Sequence, residues 1–298
     1  MPAIFYRPTD RRSFLKISAL AGAALAVNGC VSLNKGDSAS SELHLALLSD
    51  THVPGDRVNG SRGFNPWKNL ERIVPDVVAT RPDAVILNGD AARLEGKPED
   101  YREVKALLEP VAAVAPVYIG MGNHDDRQSF FEAFADRPGM KQPIDGKHVV
   151  VLEHEAVRII ILDSLLYTNK VAGLLGPAQR RWLGAYLPTV ADRPVVLFVH
   201  HTLGEGDGEL LDVDRLFALL QRHPQVKAIF YGHSHVWELG ARGNLKLVNL
   251  PAVGYNFRDQ DPVGWVDARF RRSGVDLTLH AIGGNLGENG KVRSIRWA

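Results

Sequence analysis

Gly122-Asn123-His124-Asp125 stands directly after the apolar run Val117-Tyr118-Ile119, and its reading decides the fold. A short β-rich run halts at glycine, and an amide, an imidazole and a carboxylate follow in succession. Glycine lets the backbone turn sharply at a strand end and expose what comes next. Four further runs of the same kind end in Asp50-Thr51-His52, Gly89-Asp90, His200-His201 and Gly232-His233-Ser234-His235. Five strand ends that each deliver metal-ligand side chains form a regularity that chance rarely produces.

Working outward from these motifs, Leu43 to Leu48 and Ala84 to Leu87 read as buried strands, as do Val195 to Val199 and Val226 to Tyr231. Trp67 to Thr80, Pro98 to Val114 and Leu210 to Leu220 carry apolar residues at helical spacing, with Pro75 inside the first. Leu245 to Leu250, Gly264 to Phe270 and Val275 to Ile282 read as consecutive antiparallel strands. Asp50 and His52, two apart on an extended segment, point the same way and can reach one metal; His233 and His235 repeat the pattern. A carboxylate can give one oxygen to each of two metals, which makes Asp90 the candidate bridge.

The 298 residues, 45% of them hydrophobic, suffice for one large or two modest domains with a real core. Net charge is +1, and the body beyond the basic N-terminus is near neutral, so no nucleic-acid-binding patch is expected. A single cysteine, Cys30, rules out an internal disulfide framework. Arg11-Arg12-Ser13-Phe14-Leu15-Lys16 precedes the weakly apolar run Ile17 to Val27. The pattern resembles a twin-arginine signal peptide, with Asp10 where that pattern has Ser or Thr. It ends Val27-Asn28-Gly29-Cys30, which resembles a lipoprotein lipobox with an unusual Asn28. The expected organisation is a signal peptide over 1–29, a flexible tether over 30–42, one catalytic domain over 43–283 and a tail over 284–298. The expected location is periplasmic or on the outer face of a membrane, with membrane contact only through lipid on Cys30.

Taken in order, Asp50-x-His52, Gly89-Asp90, Gly122-Asn123-His124-Asp125, His200 and Gly232-His233-x-His235 resemble the calcineurin-like metallophosphoesterase superfamily. Asn123-His124-Asp125 and the paired His200-His201 bring the chain nearest to class III cyclic nucleotide phosphodiesterases. The resemblance implies a four-layer α/β/β/α sandwich of two mixed β-sheets flanked by helices, with a dinuclear metal site at the strand C-terminal ends. It implies one metal on Asp50, His52, Asp90 and His235, and a second on Asp90, Asn123, His200 and His233. His124 is then the catalytic histidine near the leaving group, with Asp125 as its orienting partner. Purple acid phosphatases carry a tyrosine ligand three residues after the bridging aspartate; Arg93 stands there, so no tyrosinate-bound ferric ion is expected.

Nitrogen and oxygen ligands without thiolate suit two divalent Mn, Fe or Zn ions. The expected reaction is hydrolysis of a small-molecule phosphate ester by hydroxide held between the metals, with a diester preferred. Two divalent ions against Asp50, Asp90 and that hydroxide leave one positive charge, matching the single charge of a diester. The alternatives are a phosphomonoesterase or phosphoprotein phosphatase, for which no clear extra arginine pair stands out, and a non-catalytic envelope lipoprotein with a retained metal site. Oligomeric state is not legible. His44, His148, His154, His223 and His280 fall outside the motifs and read as structural; His201 reads equally as substrate contact or packing. Arg93 reads as a surface or salt-bridging residue or a phosphate clamp, and Tyr255-Asn256-Phe257 as a packed loop or a wall of the substrate cleft.

Overall fold

The structure, a computed structural model, describes residues 4–5, 30–32, 42–134 and 144–298. Apart from Ile4–Phe5 and Cys30–Ser32, the expected export segment and tether up to residue 41 lie outside the described residues. Two seven-stranded sheets carry the fold. The first runs, edge to edge, β1 (Ile4–Phe5), β5 (Val117–Ile119), β4 (Ala84–Leu87), β3 (Glu42–Leu48), β12 (Pro262–Arg271), β13 (Gly274–Gly284) and β14 (Val292–Arg296). The second runs β10 (Glu238–Arg242), β11 (Leu245–Asn249), β9 (Val226–Tyr231), β8 (Val195–Val199), β7 (Arg158–Leu162), β6 (Val150–Glu153) and β2 (Cys30–Ser32). Both sheets are mixed. β3, β4 and β5 run parallel, as do β7, β8, β9 and β11, while β12 to β14 return antiparallel.

Alternation along the strands explains the layers. On β3, Leu43, Leu45 and Leu47 face a core shared with Ile159, Phe198 and Phe230 of the second sheet. Ala46 and Leu48 face the other way, against Leu70, Val104 and Phe130 of the helices α1 (Pro66–Thr80), α2 (Pro98–Ala112) and α3 (Arg127–Phe134). On the far side, α4 (Gly176–Tyr186) and α5 (Val213–Leu220) cover the outer face of the second sheet through Leu183, Leu216 and Phe217. Strands buried on both faces read as continuous apolar runs, which is why the parallel strands were legible. The result is the expected α/β/β/α sandwich.

Two readings of the C-terminal part are corrected. β11 does not join β12 and β13 in a consecutive antiparallel array; it pairs in parallel with β9 in the other sheet. Val292–Arg296, read as tail, is a strand pairing with β13 from Gly274↔Arg296 to Thr278↔Val292. No helix among the described residues is long and apolar enough to cross a membrane.

Candidate metal centre

Every strand end named by the sequence arrives at one place. Asp50 and His52 follow β3, Asp90 follows β4 and Asn123 follows β5, all from the first sheet. His200 follows β8, and His233 and His235 follow β9, from the second sheet. Hydrogen bonding continues past the strands, with the Asp50 amide on Gly89 O (3.1 Å) and the His52 amide on Asp90 O (2.9 Å), so the ends stay in register.

The local backbone differs from the extended geometry predicted. Asp50, His52, Asp90, His233 and His235 all lie in the left-handed region, with φ of 52°, 46°, 50°, 70° and 57°. Non-glycine residues are uncommon there, and such conformations cluster where a site over-determines them. The chain curls at each ligand, and the curl aims the side chain inward. Gly122 shows how tightly this is packed: a Cβ there would collide with Oδ1 and the amide of Asp90.

The side chains form overlapping donor groups. Asp50, His52 and His235 place one donor atom each within 4.8 Å of one another, and so do Asp90, His200 and His233. Asp90 Oδ2 lies between the groups, 3.7 Å from His52 Nε2 and 3.4 Å from His200 Nε2. Its Oδ1 accepts from the His124 amide at 2.8 Å. Oδ2 thus faces both donor groups, while Oδ1 also holds the turn after β5.

The hydrogen-bond inventory tests whether these residues fit cations. The Nδ1 of His52 meets Arg93 O at 3.1 Å, the Nδ1 of His235 meets Tyr255 O, and the Nδ1 of His200 meets Asn88 O at 2.8 Å. A carbonyl only accepts, so each Nδ1 carries a hydrogen, and in the neutral ring Nε2 presents a lone pair. The lone pairs of His52 and His235 then face each other at 3.1 Å. His200 Nε2 is buried without a hydrogen-bond partner, facing Asp90 and, at 3.8 Å, Asp50. His233 donates through Nε2 to Gly208 O (3.0 Å), and its Nδ1 faces Asn123 Oδ1 at 2.8 Å, acceptor against acceptor. Buried acceptors in opposition are unfavourable unless a positive centre stands among them. Carbonyl-anchored imidazoles are how metal-binding histidines are oriented.

At His200 a proton supplies the positive charge: burial alone would lower the ring, but Asp90 and Asp50 raise it to about 10, so its Nε2 holds a proton against the two carboxylates, where a ligand nitrogen would be deprotonated. Burial pushes His52 down to about 3 and His233 down to about 4, keeping both neutral as ligands must be. Burial would raise Asp50, yet His200 and His235 hold its carboxyl well below the usual carboxylate range.

His124 and Asp125 part company. The Nδ1–H of His124 donates to Leu94 O at 2.9 Å, and a donor atom of the ring lies within 4.8 Å of those of His52 and Asp90. Asp125 turns inward and accepts from the Gly122 amide (2.9 Å), the Ala92 amide (3.3 Å) and Tyr101 OH (3.0 Å). Burial, then Asp90, raise its carboxyl to about 6. The orienting role predicted for Asp125 thus belongs to the Leu94 carbonyl, and Asp125 fixes the turn that presents His124.

A cleft of about 440 Å³ opens over the centre, lined among others by His124, Asn123, His233, Glu209, Tyr255 and Phe257. Of the two readings of Tyr255 and Phe257, packed loop or cleft wall, the second holds: Tyr255 lies 4.9 Å from the His52 ring and Phe257 4.4 Å from the His235 ring, both lining the cleft. The signal was available: the segment follows the last ligand motif and returns across it. Gly206, Gly208 and Glu209 also line the cleft, from a glycine- and acid-bearing loop that carries no ligand motif. His201 is buried and packs, its Nδ1 at 2.7 Å from Ser164 Oγ.

The profile of the family described as calcineurin-like phosphoesterase matches residues 43–237. This chain belongs to that family. Membership places it among metal-dependent phosphoester hydrolases, and the donor groups described above form its candidate dinuclear centre. A probable cyclic nucleotide phosphodiesterase of Rhodococcus erythropolis is 34% identical over 64% of this chain and 64% of its own length. The glycerophosphodiester phosphodiesterase of Enterobacter lignolyticus is 31% identical over 70% of this chain and 77% of its own. A dimetal phosphatase from Danio rerio shares the fold, with a TM-score of 0.67 over 86% of this chain and 99% of that one at 14% identity.

Proposed function

We propose that the chain is an exported phosphodiesterase whose seven predicted ligands hold two divalent cations. The observation that carries this reading is the set of opposed acceptors, His52 against His235 and His233 against Asn123, with His200 Nε2 set between two carboxylates, beside a cleft-facing His124. Asp50, His52, Asp90 and His235 would hold one cation, and Asp90, Asn123, His200 and His233 the other. Bound there, the pair supplies an acidified water and positive charge for the phosphoryl oxygens. The chain's own part is positional and protonic. The donors fix where phosphorus sits, and Asp90 couples the two groups through Oδ2. His124, held by Leu94 O, gives a proton or hydrogen bond to the departing alcohol oxygen. Tyr255 and Phe257 exclude water from one side of the cleft.

Preference for a diester is supported by the two carboxylates among the ligands, which leave little spare charge, and by the diesterase names of both curated relatives. Purified full-length chain given Mn²⁺ is expected to hydrolyse bis(p-nitrophenyl) phosphate faster than p-nitrophenyl phosphate. His124→Ala is expected to lower kcat by about 10²–10⁴ with the metals retained. Inactivity on both esters refutes the proposal, and full activity in His124→Ala removes the role given to that residue.

Export rests on Arg11-Arg12 and the run to Cys30. Cell fractionation of the tagged chain is expected to place it outside the cytoplasm, and paired Arg11→Lys and Arg12→Lys substitutions to retain it inside. Cytoplasmic retention of the unaltered chain contradicts this.

A further inference from the structure

The geometry points to an anion subsite on the aromatic lip of the cleft, formed by Arg93 and Arg62, that takes a second acidic group of the substrate, a carboxylate or phosphate, away from the reacting phosphodiester. This deepens the phosphodiesterase reading and rests on it.

Arg93 is placed by the metal centre itself. Its carbonyl accepts from His52 Nδ1 at 3.1 Å and its amide donates to Asp100 Oδ2 at 3.4 Å. Its guanidinium lies over the Tyr255 ring, 5.7 Å from the centroid, and Tyr255 in turn packs, tilted, against the His52 ring at 4.9 Å. The charge therefore stands one ring away from a metal ligand. Arg62 occupies the matching place on the next aromatic, 4.7 Å above Phe257. Tyr255 and Phe257 are edge to face at 5.7 Å, so the two arginines flank one continuous wall.

The placement of Arg62 is costly, which argues that it is built. Ser61 and Phe64 exchange backbone hydrogen bonds at 2.8 and 2.9 Å across a two-residue turn. Both central residues have positive φ, 51° at Arg62 and 83° at Gly63, as a type I′ turn demands. Asn, Asp or Gly suits the first of those positions; arginine there carries backbone strain. Neither arginine has a carboxylate in ion-pair contact among the described residues. Stacking uses only the face of a guanidinium and leaves the N–H edges free for an anion. Arg93 spends one of them on a long 3.5 Å contact from Nε to Asn59 Oδ1 and another on the Tyr255 hydroxyl, which leaves the rest of its edge.

Another stretch of the rim carries the reverse charge. Glu205 and Asp207 are exposed on the loop that also brings Glu209 to the cleft. An acidic substituent is repelled there and attracted to the aromatic lip, so the field orients the substrate as well as binding it. The sequence offered no arginine pair near the metals, because Arg62 and Arg93 are far apart in the chain and meet only through the two aromatics.

The test compares methyl phosphodiesters of ω-hydroxy acids with those of equal-length diols, over a series of spacer lengths. Mn²⁺-loaded full-length chain is used, and phosphorus NMR reads which ester bond is cut. For at least one spacer length, kcat/KM is expected to be about tenfold higher for the acid than for the diol, falling as salt rises. In Arg62→Gln Arg93→Gln the ratio is expected to fall to about one. Arg62→Gln alone, altered on an exposed turn, is expected to lower the ratio about threefold and keeps the test readable if the double variant fails to fold. Equal rates at every length, or a preference that survives in both variants, overturns the subsite. Failure to cleave any diester, bis(p-nitrophenyl) phosphate included, overturns the phosphodiesterase reading and the subsite with it.

Discussion

His148 is shut away from water, whereas His233 is half-buried and lines the cleft over the candidate centre. The sequence distinguishes the two, because His233 ends a strand inside a glycine-flanked motif and His148 does not. The ring of His148 packs between Phe130 and Phe131 and meets Ile119 O at 2.9 Å through Nε2. Burial pushes it down to about 4, against about 6.5 in an unfolded chain. Between those values the unfolded state takes up a proton that the folded state refuses, so stability falls as pH drops through this window and is whole above it. The loss attached to this one ring is roughly 3 kcal/mol. Urea unfolding followed from about pH 7 to about pH 4 should show wild type losing that much more stability than His148→Gln; parallel curves would contradict it. Asp125 marks the limit of reading residues one at a time. Adjacency to His124 in sequence suggested a partnership, but a tight turn sends consecutive side chains in different directions, and the carboxylate serves the backbone amides of Gly122 and Ala92.

At the scale of elements, the strands and helices that bury an apolar face were legible, and those that do not were missed. Helix α1 begins one residue before the expected Trp67, capped by Asn65 Oδ1 on the Lys68 amide at 2.9 Å, and ends at the expected Thr80. β10 is exposed at every residue and β14 at nearly every one, so neither carries the apolar signal that marks a strand. The left-handed curls at the ligands were illegible for another reason: spacing records which residues are near, not the backbone path between them. Asp163 stands directly after β7. It is fully buried and receives both arms of Arg127 at 2.8 Å, with the His148 amide at 2.8 Å and the Leu165 amide at 2.9 Å. It therefore ties α3 to the second sheet behind the cleft. Removing one member of a buried pair leaves the others uncompensated, so Asp163→Ala is expected to cost about 3–5 kcal/mol in denaturant unfolding. A loss under about 1 kcal/mol would show the cluster to be solvated and the argument wrong.

At the scale of the whole molecule, the centre belongs to neither sheet. Asp50, Asp90 and Asn123 come from one, His200, His233 and His235 from the other, and the inter-sheet core of Leu45, Ile159, Phe198 and Phe230 holds them in register. This explains why the sequence yielded the ligands before the architecture: the motifs are local, while the packing that joins them is not. It also means that the donors converge only in the folded chain, so their opposed lone pairs are a property of the tertiary structure. The most direct measurement is anomalous diffraction from a crystal of the chain grown with Mn²⁺. Two peaks are predicted, one among Asp50, His52, Asp90 and His235 and one among Asp90, Asn123, His200 and His233. A single peak, or none within reach of Asp90, would contradict the dinuclear centre on which the proposed chemistry stands.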